Sequence, residues 1–337
     1  MGYLLSGSRV SPKDTTMART LSIGFVGAGW IARQHASHLM LLEGVRIGPH
    51  FDMSPESSRF FARQTNSSPA ETEDAVIDQC DLVFICTPPH CHLESIGRCV
   101  ARNRAFFCEK PLAGSLDEGE RIAALVADGS GPPAFIGFNF RFFEAWLTCR
   151  EFIRQGRIGT PLQFSVQRIH QGPTGGWRRE PNTLCGMTIE SVSHDIDLMM
   201  WLFGEVESVS AHTSASDPSL PGFDDTLSAI VRMACGVHGS ISCCWSSTLD
   251  ISPSHTVVGS NGTITIESPR PWDFATLRLR ERGGEEEVLR FSELDERRHQ
   301  GICRHVVDVM RGTQENQIPL GDGLRALRVC AAMVGSV

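Results

Sequence analysis

One predicted helix, which spans Met187–Phe203, carries an imidazole and two carboxylates on the same face. Glu190, His194 and Asp197 fall on one face of that helix at about 100° per residue, together with Trp201. A carboxylate can orient an imidazole and raise its basicity, and histidine is the natural general base near neutral pH. A solvated polar face would explain the acids but not the imidazole and the indole. We therefore predict that this face lines a cleft between two domains.

A lysine follows a second informative segment. The apolar run Ala105–Cys108 predicts a buried strand, and Glu109, Lys110 and Pro111 come directly after it, at the edge where open α/β sheets bind ligands. When hydride leaves a carbinol carbon, a base and a positive group must act on the oxygen, and a lysine at this edge would supply the charge. The alternative is an ordinary surface lysine. A tyrosine proton donor is disfavoured because the only tyrosine, Tyr3, lies in the N-terminal tail.

A glycine turn is the third pattern with chemical meaning. The apolar strand Leu21–Val26 is followed by Gly27, Gly29 and Ala32 in G-x-G-x-x-A spacing, and then by a predicted helix over residues 31–42. A dinucleotide site needs such a turn because no side chain then blocks the pyrophosphate, and the helix N-terminus presents unpaired N–H groups to the anion. The alternative is a surface turn between a strand and a helix, since such glycine turns are common.

The next predicted strand, Val45–Asp52, strengthens the dinucleotide interpretation. It ends in Asp52, roughly 20 residues after the glycines, where an acid can accept hydrogen bonds from ribose hydroxyls and would repel a 2′-phosphate. We therefore predict NAD as the cofactor, while the hydroxyl of Ser54 leaves NADP open. The other predicted cofactor contacts are Trp30, Ile31, Thr87, Pro88, His90, Glu109 and Lys110.

The order of predicted elements indicates an α/β protein with two domains. Strands and helices alternate over residues 21–140, which predicts an N-terminal Rossmann domain with a doubly wound parallel sheet. Residues 141–337 are predicted to form a C-terminal α+β domain with an open, mainly antiparallel sheet, whose last helix packs back on the first domain. Residues 1–20 are predicted to be disordered. The predicted strands of the second domain are Leu162–Ile169, Val206–Thr213, Thr226–Met233, Gly236–Cys244, His255–Gly259, Thr263–Glu267 and Thr276–Leu279.

Composition narrows the class of protein. The chain has 337 residues and a net charge of −8, so it can bury two cores and offers no basic face for nucleic acid. No apolar run is long enough for a membrane span, and no signal-type segment opens the sequence. Twelve cysteines in such a chain indicate free thiols in a reducing compartment, and we predict a cytoplasmic protein. His90, Cys91 and His92 lack a second ligand pair at zinc-like spacing, so we predict no metal.

Taken together, these features resemble the Gfo/Idh/MocA oxidoreductase family, which includes glucose–fructose oxidoreductase and inositol dehydrogenase. The resemblance extends from about Leu21 to Leu327. It is carried by GFVGAGWIA (24–32), CTPPHCH (86–92), EKP (109–111), GFNFRF (137–142), GRIG (156–159), ESVSHDID (190–197) and DGLRAL (322–327). The combination of EKP with the histidine-bearing helix is the most specific part.

The resemblance implies a Rossmann domain followed by a sheet domain that forms the substrate wall and the subunit contact, so a homodimer or homotetramer is expected. It implies that Lys110 and His194 are the catalytic pair. It also implies NAD(P)-dependent hydride transfer to or from a sugar, an inositol or another small polyol. The alternative is a non-catalytic NAD(P)-binding regulator on the same fold, and the presence of both Lys110 and His194 argues against it.

Two positions depart from the pattern of the family. Where many members have an aspartate four residues before the histidine, this chain has Glu190, which we expect to act with the catalytic pair or to bind substrate. Where many have a glycine two residues before it, this chain has Val192, which would narrow the site or shift the helix. Further candidates for the substrate wall are Arg141, Arg168, Trp177 and Asp197.

Overall fold

The computed structural model describes residues 19–127, 131–173, 175–220, 222–268, 275–291 and 299–335. The segment predicted to be disordered, residues 1–20, lies outside the described residues except for its last two positions. Within the described part, the chain forms a five-stranded sheet and an eight-stranded sheet, and helices pack on both.

The first sheet is parallel, and its strands are apolar on both faces because helices cover both sides. Its strands are β1 (Leu21–Val26), β2 (Val45–Phe51), β3 (Leu82–Ile85), β4 (Ala105–Cys108) and β5 (Ala134–Ile136). They lie in the order β2-β1-β3-β4-β5, with every pair parallel. The chain moves from β1 to one side of the sheet for β2 and to the other for β3. A crevice therefore opens at the carboxyl ends of β1 and β3.

Helices connect these strands on the two faces of the sheet: α1 (Trp30–Leu39), α2 (Pro55–Thr65), α3 (Glu73–Gln79), α4 (His92–Ala101) and α5 (Leu116–Leu125). The N-caps of α2, α3 and α5 are Ser54, Thr72 and Ser115. The side-chain hydroxyl of each accepts a hydrogen bond from a backbone N–H of the first turn. Helix α1 ends three residues before the predicted end at position 42. This alternation confirms the predicted Rossmann-type parallel sheet.

The second sheet consists of β6 (Pro161–Gln171), β7 (Val206–Ser214), β8 (Thr226–Met233), β9 (His238–Cys244), β10 (Ser246–Gly259), β11 (Gly262–Glu267), β12 (Thr276–Glu281) and β13 (Glu286–Arg290). The order is β13-β12-β11-β10-β6-β9-β8-β7. Only the β6–β9 pair is parallel among these described strands, which confirms a mainly antiparallel sheet. Buried and exposed residues alternate along its strands, so one face packs on a core.

Two strands of this sheet differ from the prediction. Strand β10 begins at Ser246 rather than at His255, because Pro253 lies where the pairing with β6 shifts register and so does not end the strand. Strand β13 was not predicted. Its sequence, Glu286–Arg290, is mostly charged, and it lies at the edge of the sheet, where charged side chains are well tolerated.

The remaining helices are α6 (Glu144–Arg154), α7 (Ser193–Phe203), α8 (Gln300–Met310) and α9 (Leu320–Val334). A π-helical turn, Thr188–Val192, leads directly into α7. Helix α9 returns to the first domain and packs on α5. There, a Cβ added at Gly119 would lie 2.5 Å from the side chain of Leu327, so this close approach requires a glycine.

Candidate functional site

A cavity of about 1020 Å³ lies where the carboxyl ends of β1, β3 and β4 face the second domain. Residues from both domains line it. The structure therefore brings most of the predicted site residues to one space: Gly27, Gly29, Trp30, Ile31, Asp52, Thr87, Pro88, His90, Glu109, Lys110, Trp177, Glu190 and His194.

The glycine turn has the geometry that a phosphate site requires. At Gly27 the backbone has φ +88°, and an added Cβ would lie 2.7 Å from the carbonyl of Cys86, so only glycine fits without strain. Gly29 has an ordinary φ of −68° and precedes the first turn of α1. Nothing lies within 4 Å of a Cβ added there. The open space lies beside helix N–H groups that have no partner within the helix and can bind an anion.

The carboxylate of Asp52 is fixed beside this turn. Its Oδ2 accepts the N–H of Ala28 at 2.7 Å, and its Oδ1 accepts the N–H of Ser54 at 2.7 Å. Each oxygen keeps a lone pair for a ribose hydroxyl. The buried Oγ1 of Thr87 has no hydrogen-bond partner within the described parts of the chain. An open glycine turn, an anchored acid and an unpaired hydroxyl fit a dinucleotide such as NAD.

Lys110 extends from the end of β4 toward the second domain. Its Nζ donates to the backbone oxygen of Glu190 at 3.0 Å. Its backbone N–H donates to Oε2 of Glu109 at 3.2 Å, and Oε1 of Glu109 lies 2.6 Å from Nε2 of the buried His35. Burial lowers the pKa of Lys110; Glu190 acts against this shift, and Arg178 adds to it. Its proton is therefore more easily shared than that of a surface lysine.

His194 reaches the cavity from the first turn of α7. Its ring stacks on Phe140, with 4.2 Å between the ring centroids and 12° between the planes. Burial lowers the pKa of His194 well below 6.5, and the positive charges of Lys110 and Arg168 act in the same direction. The imidazole is therefore neutral at pH 7 and can accept a proton.

Glu190 lies in the π-helical turn and is almost fully buried. Its Oε1 accepts a hydrogen bond from Nε of Arg178, whose guanidinium lies 4.3 Å over the ring of Trp177. Its Oε2 makes no hydrogen bond to any residue that the structure describes. The predicted alternative, a solvated polar face, is therefore wrong: Glu190 is 4% exposed and His194 is 6% exposed.

The structure does not bring Arg141 and Asp197 to the cavity. Nε of Arg141 donates to Oδ2 of Asp197 at 2.9 Å, and Nη2 of Arg141 lies 2.7 Å from Oδ2 of Asp322. All three side chains are buried. Burial raises the pKa of Asp197 to about 6, although Arg141 acts in the opposite direction. These residues join the segment after β5 to α7 and α9, and we do not retain Arg141 or Asp197 as substrate contacts.

Arg168 also points away from the cavity. Its Nε donates to Oδ2 of Asp195 at 3.0 Å, and Nε2 of His255 lies 2.9 Å from the other oxygen of that carboxylate. Its Nη2 donates to the backbone oxygen of Ser191 at 2.9 Å. This buried group attaches the π-helical turn and α7 to strands of the second sheet.

Sequence analysis missed three residues at or behind the cavity. Arg178 had a weak signal, since it follows Trp177. His299 lines the cavity, and its Nε2 lies 3.2 Å from Nδ2 of Asn139. His35 supports Glu109 from within α1. Nothing local in the sequence indicates the last two, because their contacts come from distant parts of the chain.

Three wider features bear on the class of protein. All twelve cysteines are free thiols, as predicted. Among the described residues, no group of three or more His, Cys, Asp or Glu is arranged to hold a metal ion. None of the described helices is both long enough and apolar enough to cross a membrane.

Two family models match the two domains. The model for the NAD-binding Rossmann fold of the Gfo/Idh/MocA oxidoreductase family matches residues 21–132. The model for the Gfo/Idh/MocA C-terminal domain matches residues 146–265. The first match confirms the predicted NAD-binding domain.

Individual relatives agree with these models. An inositol 2-dehydrogenase of Rhizobium meliloti (strain 1021) is 31% identical over 263 residues, which are 75% of this chain and 77% of the relative. The WlbA dehydrogenase of Bordetella pertussis, solved with NADH and UDP-GlcNAcA, is 22% identical with a TM-score of 0.80, covering 95% of this chain and 96% of that one. Levoglucosan dehydrogenase, solved with NADH, has a TM-score of 0.86 at 18% identity and covers 94% and 96%. The two structures show the likeness of the fold.

The glycine turn, the cavity between the domains, the two family models and the 31% identical relative lead to one assignment. The chain belongs to the Gfo/Idh/MocA family of NAD-binding oxidoreductases.

Proposed function

We propose that the protein is a dehydrogenase or reductase that transfers hydride between NAD and a hydroxyl-bearing carbon of a small sugar- or inositol-like polyol. One observation carries the proposal. Lys110 from the first domain and His194 from the second line the same cavity as the dinucleotide turn. A positive group and a neutral base are therefore both available beside the place where a nicotinamide would lie.

In the oxidation direction, His194 is the base. Its neutral ring accepts the hydroxyl proton as the carbon–hydrogen bond breaks, and the lowered pKa keeps the ring unprotonated at neutral pH. Lys110 donates a hydrogen bond from Nζ to the same oxygen and stabilises the negative charge that develops on it. A bound nicotinamide supplies the carbon that takes up the hydride. In the reduction direction the protonated His194 returns the proton to this oxygen, while Lys110 again stabilises its developing charge.

The proposed substrate class rests on the relatives and on the cavity. The relative with 31% identity is named an inositol 2-dehydrogenase, and one structural neighbour is named a levoglucosan dehydrogenase. The substrate end of the cavity combines Lys110, Glu190 and His194 with the ring of Trp177. Hydrogen-bonding groups beside an aromatic ring suit a ring that bears several hydroxyls.

The experiment that tests the function is a screen of inositols and sugars for NADH formation, followed by Lys110→Met. We expect the variant to lose at least about 1,000-fold in kcat, because a group that stabilises the transition-state oxygen is removed, while NAD still binds. NAD binding is measured by quenching of tryptophan fluorescence. The control is Lys110→Arg, which keeps the charge but not the geometry and should retain a measurable fraction of the rate.

Near-wild-type turnover by Lys110→Met on the best substrate would contradict the catalytic assignment. Tight binding of NAD by the wild type without turnover on any polyol would instead support the regulatory alternative.

We also propose that the open face of the eight-stranded sheet pairs with a second subunit. Ile230 on β8 and Ile251 on β10 are 57% and 47% exposed, and burial of these side chains in a subunit contact would be favourable. Sedimentation of the wild type and of a double variant, Ile230→Lys with Ile251→Lys, tests this. We expect a dimer or tetramer for the wild type and a smaller species for the variant; equal sizes would argue against this face.

A further inference from the structure

Arg178 is a charged residue of the cavity that neither the sequence motifs nor the proposed mechanism uses. We propose that Arg178 is a specificity-determining positioning residue. Through Glu190 it selects an uncharged polyol whose hydroxyl next to the reacting one donates to Glu190 Oε2. This inference rests on the proposed function and names the substrate class within it.

Only one oxygen of the Glu190 carboxylate has a hydrogen-bond partner in the described structure. The side chain of Glu190 is 5% exposed, and Arg178 binds its Oε1. Glu190 lines the cavity, and its buried Oε2 has no hydrogen-bond partner among the described residues. A buried carboxylate oxygen left in this state is unfavourable, and a ligand that brings a donor removes the penalty. The site therefore calls for a donor at this point.

The position of Lys110 relative to Glu190 indicates which group of the substrate supplies that donor. Nζ of Lys110 lies 3.0 Å from the backbone oxygen of Glu190, and both residues line the same cavity, so we place the carboxylate of Glu190 beside the reacting oxygen. On a polyol ring, the group at that separation is the hydroxyl of the next carbon. Glu190 therefore contacts the neighbour of the hydroxyl on which Lys110 and His194 act.

The charges around Glu190 also restrict which substituent the substrate can carry at this point. Lys110 and Arg178 are two cations close to the carboxylate of Glu190, and Arg178 lowers the pKa of Lys110 whereas Glu190 raises it. Both cations would repel an ammonium substituent on the next carbon. The unpaired oxygen of Glu190 would repel a carboxylate substituent there. An uncharged hydroxyl is repelled by neither, and it can donate a hydrogen bond to Oε2.

Arg178 is partly exposed, so it can be replaced without disturbing a hydrophobic core. It lies on a short helical turn, Gly176–Arg179, with 39% of its side chain exposed. It packs over Trp177, and its other side lines a second cavity of about 510 Å³. Its substitution should therefore change the electrostatics of the site more than the stability of the fold.

The test uses matched substrates and a matched pair of variants. The substrates are two sets of three: myo-inositol with its 1-deoxy and 1-amino derivatives, and glucose with 2-deoxyglucose and glucosamine. For the wild type we expect kcat/KM to fall about 30-fold for the deoxy compound, because Oε2 again lacks a donor, and about 100-fold for the amine. The variants are Arg178→Gln, which removes the charge, and Arg178→Lys, which keeps it.

For Arg178→Gln we expect the KM of the parent polyol to rise at least about tenfold with little change in kcat, since Glu190 is no longer held in place. The amine should then become a better substrate than the deoxy compound, because one repelling cation is gone. Arg178→Lys should keep the wild-type order. The same order of the three compounds in the wild type and in Arg178→Gln, or a wild type that prefers the amine, would overturn the proposal.

Binding provides a second readout. The rise in Tm that each compound causes with saturating NADH present is measured for all three proteins. Binding in the expected order without turnover would contradict the proposed function and support this inference. Turnover without discrimination among the three compounds would contradict this inference alone. Failure of all compounds to bind would overturn both.

Discussion

Buried charge lies on two sides of α7, and the two sides are satisfied to different degrees. Away from the cavity, both oxygens of Asp195 are bonded, one to Arg168 at 3.0 Å and the other to His255 at 2.9 Å. Toward the cavity, Glu190 has one oxygen bonded to Arg178 and one without a partner in the described structure. Complete pairing serves the fold, whereas an unfilled hydrogen bond is available to a ligand.

The fully paired residues also have a function, because their ion pairs fix the position of the helix that carries His194. Arg141, which Asp322 also binds, holds Asp197, and Asp197 follows His194 by one turn of α7. Two anchors on the same helix, at Asp195 and Asp197, leave the imidazole little freedom to turn away from the cavity. If this comparison is correct, variants of the paired side should lower stability, and variants of the cavity side should lower activity.

The largest expected effect is on stability, from Asp195→Ala. Arg168 is 2% exposed, so its charge would stay buried without a carboxylate. Removal of one member of a buried ion pair lowers the free energy of unfolding by about 3–5 kcal/mol. Urea denaturation measures the loss. Asp117→Ala is the control, because this side chain is 82% exposed and should change stability by less than about 0.5 kcal/mol. A loss below about 1 kcal/mol for Asp195→Ala would contradict the comparison.

The second effect is the converse, from Glu190→Gln on the cavity side. The change keeps the shape of the side chain but removes the charge that Arg178 binds. We expect kcat/KM to fall about 30-fold while the free energy of unfolding changes by less than about 1 kcal/mol. Steady-state kinetics and urea denaturation of the same preparation test both halves. Strong destabilisation of this variant would show that Glu190 stabilises the fold, as the fully paired residues do.

The third effect concerns pH. Burial holds the pKa of His194 well below 6.5 in the folded protein, whereas in the unfolded chain the ring titrates near its usual value. Between these two values the unfolded chain binds a proton that the folded protein does not. Stability is therefore complete above pH 6.5 and falls as the pH drops below it.

His194→Gln isolates this contribution, because other buried histidines with lowered pKa values remain in both proteins. Compared with the variant, the wild type should lose an additional amount of up to about 1.4 kcal/mol per pH unit below pH 6.5. Thermal unfolding between pH 5 and pH 7 measures the difference. Equal slopes for the two proteins would mean that His194 titrates normally.

The smallest expected effect is that of Gly29→Ala in the glycine turn, where the same contrast recurs. Gly29→Ala puts a methyl group into open space, so stability should change by less than about 1 kcal/mol while KM for NAD rises several-fold. Gly27→Ala is the matched variant, because φ is +88° there and the new Cβ meets Cys86. It should lower stability by about 1–3 kcal/mol. Equal KM values for Gly29→Ala and the wild type would argue against a phosphate at this position.

Patterns within single elements predicted most of the fold. Apolar runs located the parallel strands, and the hydroxyl caps at Ser54 and Ser115 marked where helices begin. Local chemistry also predicted Lys110 at a strand end and the dinucleotide turn. These features depend on neighbours in the sequence, so periodicity and spacing are sufficient to find them.

Contacts between distant residues could not be predicted in this way. A helical wheel placed Asp197 beside His194, but Ser193–Met200 are buried all round, so position on the wheel does not tell a cavity from a packed interface. The partners of Asp197 and Asp195 come from other elements, and no local pattern identifies Arg141 or Arg168 as the cation in each pair. The same limit hid the contact between Arg178 and Glu190.

The central claim is that Lys110 and His194 act on one oxygen. The most direct measurement is a crystal structure of the protein with NADH and the best-binding polyol. The account predicts a single polyol oxygen within about 3.2 Å of both Nζ of Lys110 and a ring nitrogen of His194. A polyol that bonds to only one of the two, with its oxygens out of reach of the other, would contradict it.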